Sequence, residues 1–63
     1  MRIMRLKEVI EKTGLSRSTI YNLISQGKFP KQIDLGARSV GWVDTEIEEW
    51  LFAKIELRDI KGY

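Results

Sequence analysis

The chain has 63 residues, 11 Lys or Arg against 9 Asp or Glu, a formal charge of +2, and neither Cys nor His. A chain this short buries only about 60% of its unfolded surface and makes one domain with a small core. The composition removes disulfides, thiol nucleophiles, imidazole bases and the usual zinc ligands. No apolar run reaches the ~18 residues of a membrane span, and the basic start lacks the apolar stretch of a signal peptide. The expectation is a soluble cytoplasmic protein with no membrane partner.

The first element in chain order is a short helix. Leu6, Val9, Ile10 and Thr13 recur at helical spacing, and Gly14 follows with the permissive backbone that a tight helix stop requires. Ser16 then offers a hydroxyl to the free amides of a second helix beginning at Arg17. Leu15 before it and Ile20 inside it are spaced as a hydrophobic staple. Ile20, Leu23 and Ile24 form that helix's apolar stripe, which is expected to pack against the first. Two short helices joined by Gly14-Leu15-Ser16 constitute a helix-turn-helix over residues 6–26.

The outer face of the second helix carries Arg17, Ser18, Tyr21, Asn22 and Ser25. These residue types suit a DNA groove: Arg pairs with guanine, Asn with adenine, and Ser or Thr with base edges or phosphate. Arg17, Ser18 and Thr19 sit at the N-terminal end, which enters the major groove in this motif and whose dipole favours phosphate. A small polar face is also what an ordinary solvated helix presents.

After Gly27 and Pro30 the spacing changes from helical to alternating. Ile33 and Leu35 alternate with polar residues, Gly36 to Ser39 read as a short loop, and Val40 and Trp42 resume the alternation. This predicts a hairpin over residues 31–43. Directly after a recognition helix, such a hairpin is a wing with Arg38 and Ser39 at its tip and Lys28 and Lys31 at its base, all placed for DNA contact. Each of these is also an ordinary surface residue.

Asp44 is positioned to cap a third helix over residues 45–60, with Glu46, Glu48 and Glu49 at its positive end. Ile47, Trp50, Leu51 and Ile55 make its inner stripe. Trp42 and Trp50 fill a core this small rather than serving as stacking platforms. Phe52 and Ile60 fall off the stripe and leave apolar surface open to self-association. The charge is segregated: residues 1–38 hold eight basic side chains against three acids, and the remainder three against six. The basic portion contains the proposed reading helix, as phosphate neutralisation requires. The carboxylates of the third helix stabilise its start and have neither a partner group nor a dry pocket, so no enzyme activity and no cofactor is expected.

The segment from Arg5 to Leu51 resembles the AlpA family of small prophage-type transcriptional regulators, related to MerR-like and excisionase winged helices. The resemblance rests on Leu15-Ser16-Arg17-Ser18-Thr19-Ile20-Tyr21, the Phe29-Pro30 break, the Gly41-Trp42-Val43 strand and Glu49-Trp50-Leu51. It implies a mainly α, winged helix-turn-helix fold with a small β-hairpin, in which Ser16–Asn22 is the recognition helix and Arg38 the wing tip. It also implies binding to a promoter or attachment-site region of an integrated element. The tail after Phe52, ending at Tyr63, has no family role.

One module of this kind covers only part of a specific interface, so useful specificity requires a homodimer or a cooperative multimer on DNA. A transcription regulator working with RNA polymerase and an excision factor that bends DNA for an integrase both fit the sequence. A protein-interaction adaptor that binds no DNA is the remaining alternative.

Overall fold

A computed structural model describes residues 1–61; Gly62 and Tyr63, the end of the tail without a family role, lie outside the described residues. The elements are β1 (Ile3–Met4), α1 (Leu6–Thr13), α2 (Arg17–Ser25), β2 (Ile33–Gly36), β3 (Ser39–Val43) and α3 (Asp44–Lys61). The mainly α winged helix-turn-helix expected from the sequence is the architecture observed.

The turn between α1 and α2 follows from its residues. Gly14 adopts φ 74° and its N–H donates to the Ile10 carbonyl at 2.8 Å, closing α1 with a left-handed residue that a side chain would strain. Thr13, assigned to the apolar stripe by spacing, instead organises the turn. Its hydroxyl donates to the Val9 carbonyl at 2.8 Å and accepts the Leu15 N–H at 3.2 Å. The Ser16 hydroxyl accepts the Thr19 N–H at 3.2 Å as the N-cap of α2. Leu15 packs on the core cluster that contains Ile20. At the other end of α2, Gly27 and Lys28 donate to the Ile24 and Leu23 carbonyls at 3.0 and 2.9 Å, the paired bonds of a Schellman stop.

The sheet has three strands in the order β1-β3-β2, both pairings antiparallel. The two-residue β1 is the element that sequence spacing does not reveal. It pairs Ile3 with Val43 and Met4 with Trp42. A clamp continues the pairing: Asp44 N–H donates to the Arg2 carbonyl at 2.9 Å, and Arg2 N–H donates to Asp44 Oδ1 at 2.8 Å. The Arg2 guanidinium also pairs with Glu8, whose other oxygen accepts the Arg5 N–H at 3.2 Å at the start of α1. The chain's first residues thus tie the starts of α1 and α3 together.

The buried core is Met4, Val9, Ile20, Phe29, Trp42 and Ile47, one residue from each element except β2 together with Phe29 from the connection between α2 and β2. Trp42 is fully buried and its indole N–H donates to the Pro30 carbonyl at 3.1 Å. Trp50 donates in the same way to the Lys28 carbonyl at 2.7 Å and packs edge-on against Phe29, centroids 4.8 Å apart. Trp42 is core and Trp50 is half-buried against it, and both hold the segment that joins α2 to the wing.

Alternation identified the hairpin, but Ile33 and Leu35 lie on the sheet face away from Trp42, opposite Gly41. Gly41 is buried beneath them: a Cβ there would collide with the Ile3 side chain and approach Leu35 Cδ1 and the Met4 carbonyl at 3.2 Å. Another correction concerns α3. Its buried side ends at Leu51, and Ile55, expected on the inner stripe, is 43% exposed.

Gly41→Ala is expected to destabilise the fold by roughly 1–3 kcal/mol through overpacking, measured by chemical denaturation; an unchanged midpoint would show that Ile3 yields freely. A pH dependence also follows. The Glu8 carboxyl is held below its ordinary value of 4.5, chiefly by the Arg5 N–H and then by Arg2. Asp44 is held below 3.8, chiefly by the Arg2 N–H and then by Thr45. Folded values below unfolded ones mean that the stabilisation is complete above the ordinary values and is lost as pH falls through the folded ones. Thermal midpoints should be flat near neutrality and decline below about pH 4–5, with a shallower acid slope in Glu8→Gln/Asp44→Asn. An identical slope in that variant would contradict the assignment.

Candidate nucleic-acid interface

Helix α2 is built with two different edges. Ile20 is buried, Leu23 and Ile24 are half-buried against the core, and Arg17, Ser18, Thr19, Asn22 and Ser25 are exposed. The short helix has its cap at Ser16, so Arg17 and Ser18 are its first two residues and share its positive end. Helix N-termini of this kind present backbone amides that favour an anionic group.

Within that face the residues differ in freedom. The Thr19 hydroxyl lies 2.9 Å from the Ser16 hydroxyl, so it belongs partly to the cap. The Ser25 hydroxyl donates to the Asn22 carbonyl at 2.7 Å and is absorbed by the helix. Tyr21 is half-buried, its ring edge-on to Trp42 with centroids 6.3 Å apart. Grouped with the open polar residues by spacing, Tyr21 is in fact shared between core and surface. The Arg17 guanidinium lies 6.0 Å from the Tyr21 ring centroid, within reach of a cation–π attraction. A line of contacts therefore runs from the buried Trp42 through Tyr21 to Arg17.

The wing tip is tighter than the four-residue loop expected. Gly36 pairs with Ser39, leaving Ala37 and Arg38 as a two-residue turn with φ 48° and 62°. Two successive left-handed residues match the twist of a hairpin, but Asn and Gly are the residues that adopt them at little cost. The Asp34 carboxylate accepts the Gly36 N–H at 2.8 Å and supports the approach to the turn. Arg38 is exposed at the apex. Ser39 is half-buried in β3 rather than at the tip.

Lys28 and Lys31 are exposed on the segment between α2 and β2. They line a cleft of about 680 Å³ together with Phe29, Trp50, Glu46 and Glu49. The base of the wing is consequently of mixed charge, with carboxylates of α3 across the cleft from the two lysines. Pairing by linear sequence could not show this, because Lys28 and Glu49 are brought together only by the fold. Arg5 and Lys7 are exposed at the start of α1 and received no role from sequence reasoning, since nothing in their spacing separates them from solvated charges.

Among the described residues, ion pairs join Arg2 with Glu8, Lys12 with Glu48 and Arg58 with Asp59. Arg17, Lys28, Lys31 and Arg38 take part in none of them. Their charge is not neutralised by an ion pair among the described residues, although Glu46 and Glu49 line the same cleft as the two lysines. No group of three or more acidic side chains is placed to hold a metal among the described residues. No helix there is long and apolar enough to cross a membrane.

Comparison with known proteins follows the same segments. The chain is 45% identical over 62 residues to an uncharacterized protein, ORF88, of Enterobacteria phage P4, an alignment covering 98% of this chain and 69% of that protein. It is 44% identical over 63 residues to the DNA-binding transcriptional activator AlpA of Escherichia coli (strain K12), covering 90% of each. The family described as Prophage CP4-57 regulatory protein (AlpA) matches residues 2–55, which take in β1, both helices of the turn, the wing and the packed half of α3. With most of its length matched in this way, the chain belongs to the AlpA family of regulatory proteins.

Proposed function

We propose that this protein is a sequence-specific, double-stranded DNA-binding transcription regulator of a prophage or other integrated element, acting in the cytoplasm without catalysis. The observation that carries the reading is the division of α2 into a buried apolar edge and an exposed edge that begins with Arg17 and Ser18 at the helix's positive end. The likeness to a relative named as a DNA-binding transcriptional activator supports it. Arg17, Ser18 and Asn22 read base edges in the major groove, and Thr19 and the amides at the start of α2 meet phosphate. Tyr21 acts chiefly as the platform for Arg17.

Arg38 contacts the backbone or the minor groove beside the reading helix. Backbone strain supports this role. A non-glycine residue in the left-handed region costs of the order of 1–3 kcal/mol, and an Arg at the apex is the locally unfavourable choice. Lys28 and Lys31 add phosphate contacts at the base, weakened by Glu46 and Glu49. Ser39 contributes through its position beside Arg38. The DNA-bound form is a homodimer or a cooperative multimer, because one module of about 600–1,000 Å² supports only weak specific binding.

Two variants test the reading. Arg17→Ala should weaken binding to the specific site by roughly 1–3 kcal/mol and relax sequence preference, with affinity for nonspecific duplex much less affected. Arg38→Gly should weaken all duplexes alike and reduce the salt slope by about one counterion. Because glycine relieves the turn, the same Arg38→Gly change should leave stability unchanged or raise it by up to about 1 kcal/mol. Salt-dependent fluorescence anisotropy and denaturation measure both properties. Failure to bind any duplex, specific or nonspecific, at low salt would refute the DNA reading in favour of a protein adaptor.

A further inference from the structure

Among the described residues, the second half of α3 has no partner within the chain. Trp50 and Leu51 are half-buried against the core, and every residue from Phe52 to Lys61 is exposed. At about 1.5 Å per residue, these ten residues carry the helix roughly 15 Å past its last core contact. The molecule measures 45 Å along its longest axis against 24 and 19 Å across. Phe52 is 59% and Ile60 81% exposed, with Ile55 and Leu57 each nearly half exposed. A helical segment of this length is marginal in water without packing.

Leu51, Phe52 and Ile55 share one side of α3 and line a groove of about 340 Å³ with Lys12 of α1 and Glu48. Lys12 and Glu48 pair at 3.2 Å on its rim. The helix also carries its own electrostatic complement. Its first half holds Asp44, Glu46, Glu48 and Glu49 with no basic residue, whereas Lys54, Arg58 and Lys61 all lie in the second half, where they outnumber Glu56 and Asp59. A parallel copy would set acid beside acid; a reversed copy sets the acidic half beside the basic one and opposes the helix dipoles favourably.

We propose that the groove is filled by α3 of a second copy of this chain, packed antiparallel about a two-fold axis near Ala53. In this register Leu51 lies against Ile55 of the second copy and Glu48 against its Arg58, with its Asp59 beside Lys12. Each contact occurs twice, as an isologous interface requires. Arg58 and Asp59, which pair with each other at 3.0 Å in the free chain, exchange that exposed contact for two across the interface.

A single helix pair falls at or below the small end of stable interfaces, about 1,200 Å². The dimer is therefore weak alone, and two half-sites on one duplex strengthen it by raising the local concentration. This deepens the assembly part of the proposed function, but it is testable without DNA.

The experiment is sedimentation equilibrium of the full chain, free of DNA, from about 10 μM to 1 mM, a range that brackets a weak dimer. A monomer–dimer equilibrium is expected. Ile55→Glu and Phe52→Ser should each raise the dissociation constant at least tenfold while circular dichroism shows the monomer still folded. Glu48→Arg and Arg58→Glu should each weaken the dimer several-fold, and the doubly swapped chain should regain affinity close to that of the original. The rescue matters because loss of the internal Lys12–Glu48 pair would not be repaired by changing Arg58. A chain that stays monomeric throughout, a dimer indifferent to Ile55→Glu and Phe52→Ser, or failure of the swap would overturn the inference. Salt-dependent binding of a monomeric Ile55→Glu protein to nonspecific duplex reports separately on the DNA reading, which would survive such a failure.

Discussion

The segment Lys28–Pro30 is fixed by two indole N–H groups, Trp50 to the Lys28 carbonyl and Trp42 to the Pro30 carbonyl, and the relation of α2 to the wing depends on it. This is the chain's passage from α2 to β2. The Lys28 N–H is spent on closing α2 at the Leu23 carbonyl and Pro30 supplies no amide donor, so the indole bonds are what tie the passage to the later elements. The rings that anchor it belong to β3 and α3, elements that arrive later in sequence. Phe29 between the two carbonyls is buried and meets Trp50 edge-on. Two hydrogen bonds contribute about 1 kcal/mol each, but the larger effect is geometric, because the same rings fill the core and the same carbonyls set where α2 ends and the wing begins.

The geometry also reaches the solvent side of α2. Trp42 is buried under the helix, Tyr21 rests edge-on against it, and Arg17 lies over Tyr21. An Arg side chain loses considerable rotamer freedom when it makes a bidentate contact. In the proposed DNA contact, a ring already held by the core reduces what remains for Arg17 to lose on binding, which is preorganisation in the ordinary sense. Tyr21 is accordingly more valuable as a half-buried platform than it would be as a freely exposed hydroxyl. The wing shows the opposite economy: its apex carries backbone strain at Ala37 and Arg38, tolerated because the paired strands and the Asp34 side chain over-determine the turn.

What the sequence makes legible is local. Gly14, Leu15 and Ser16 mark the turn because capping chemistry acts over three or four residues, and the alternation in 33–42 marks the hairpin for the same reason. The strand β1 was hidden because two residues hold no period; its existence is decided by partners some forty positions away. Ile33 and Leu35 have the right alternation, but alternation does not say which side is the core, and a buried Gly41 with no side chain leaves the outer side to be covered by them. Ile55 was misplaced because helical periodicity continues past the point where the body of the protein stops. In the candidate site, the exposed residues of α2 were readable from the helix's own spacing. The shared burial of Tyr21, the strand position of Ser39 and the carboxylates facing Lys28 and Lys31 were not, since each depends on another element's position.

The charge segregation of the chain takes its meaning from α3. Its first turn anchors the N-terminal strand through Asp44 and the Arg2 backbone, its middle turns supply Ile47, Trp50 and Leu51 to the core, and its last turns leave the body. An acidic first turn is favoured by the helix dipole and basic residues by its far end, so local stability alone would select such a gradient. The same gradient makes the helix complementary to its own reversed copy. Under the proposed dimer one feature serves folding within a chain and recognition between chains, and the two demands are separable at Glu48: its pairing with Lys12 stabilises the monomer at an exposed site, where such pairs contribute little, while its place on the groove rim sets it against Arg58 of the second copy. In the proposed assembly the electrostatics of this helix are therefore constrained more by what it meets outside the chain than by what holds it within.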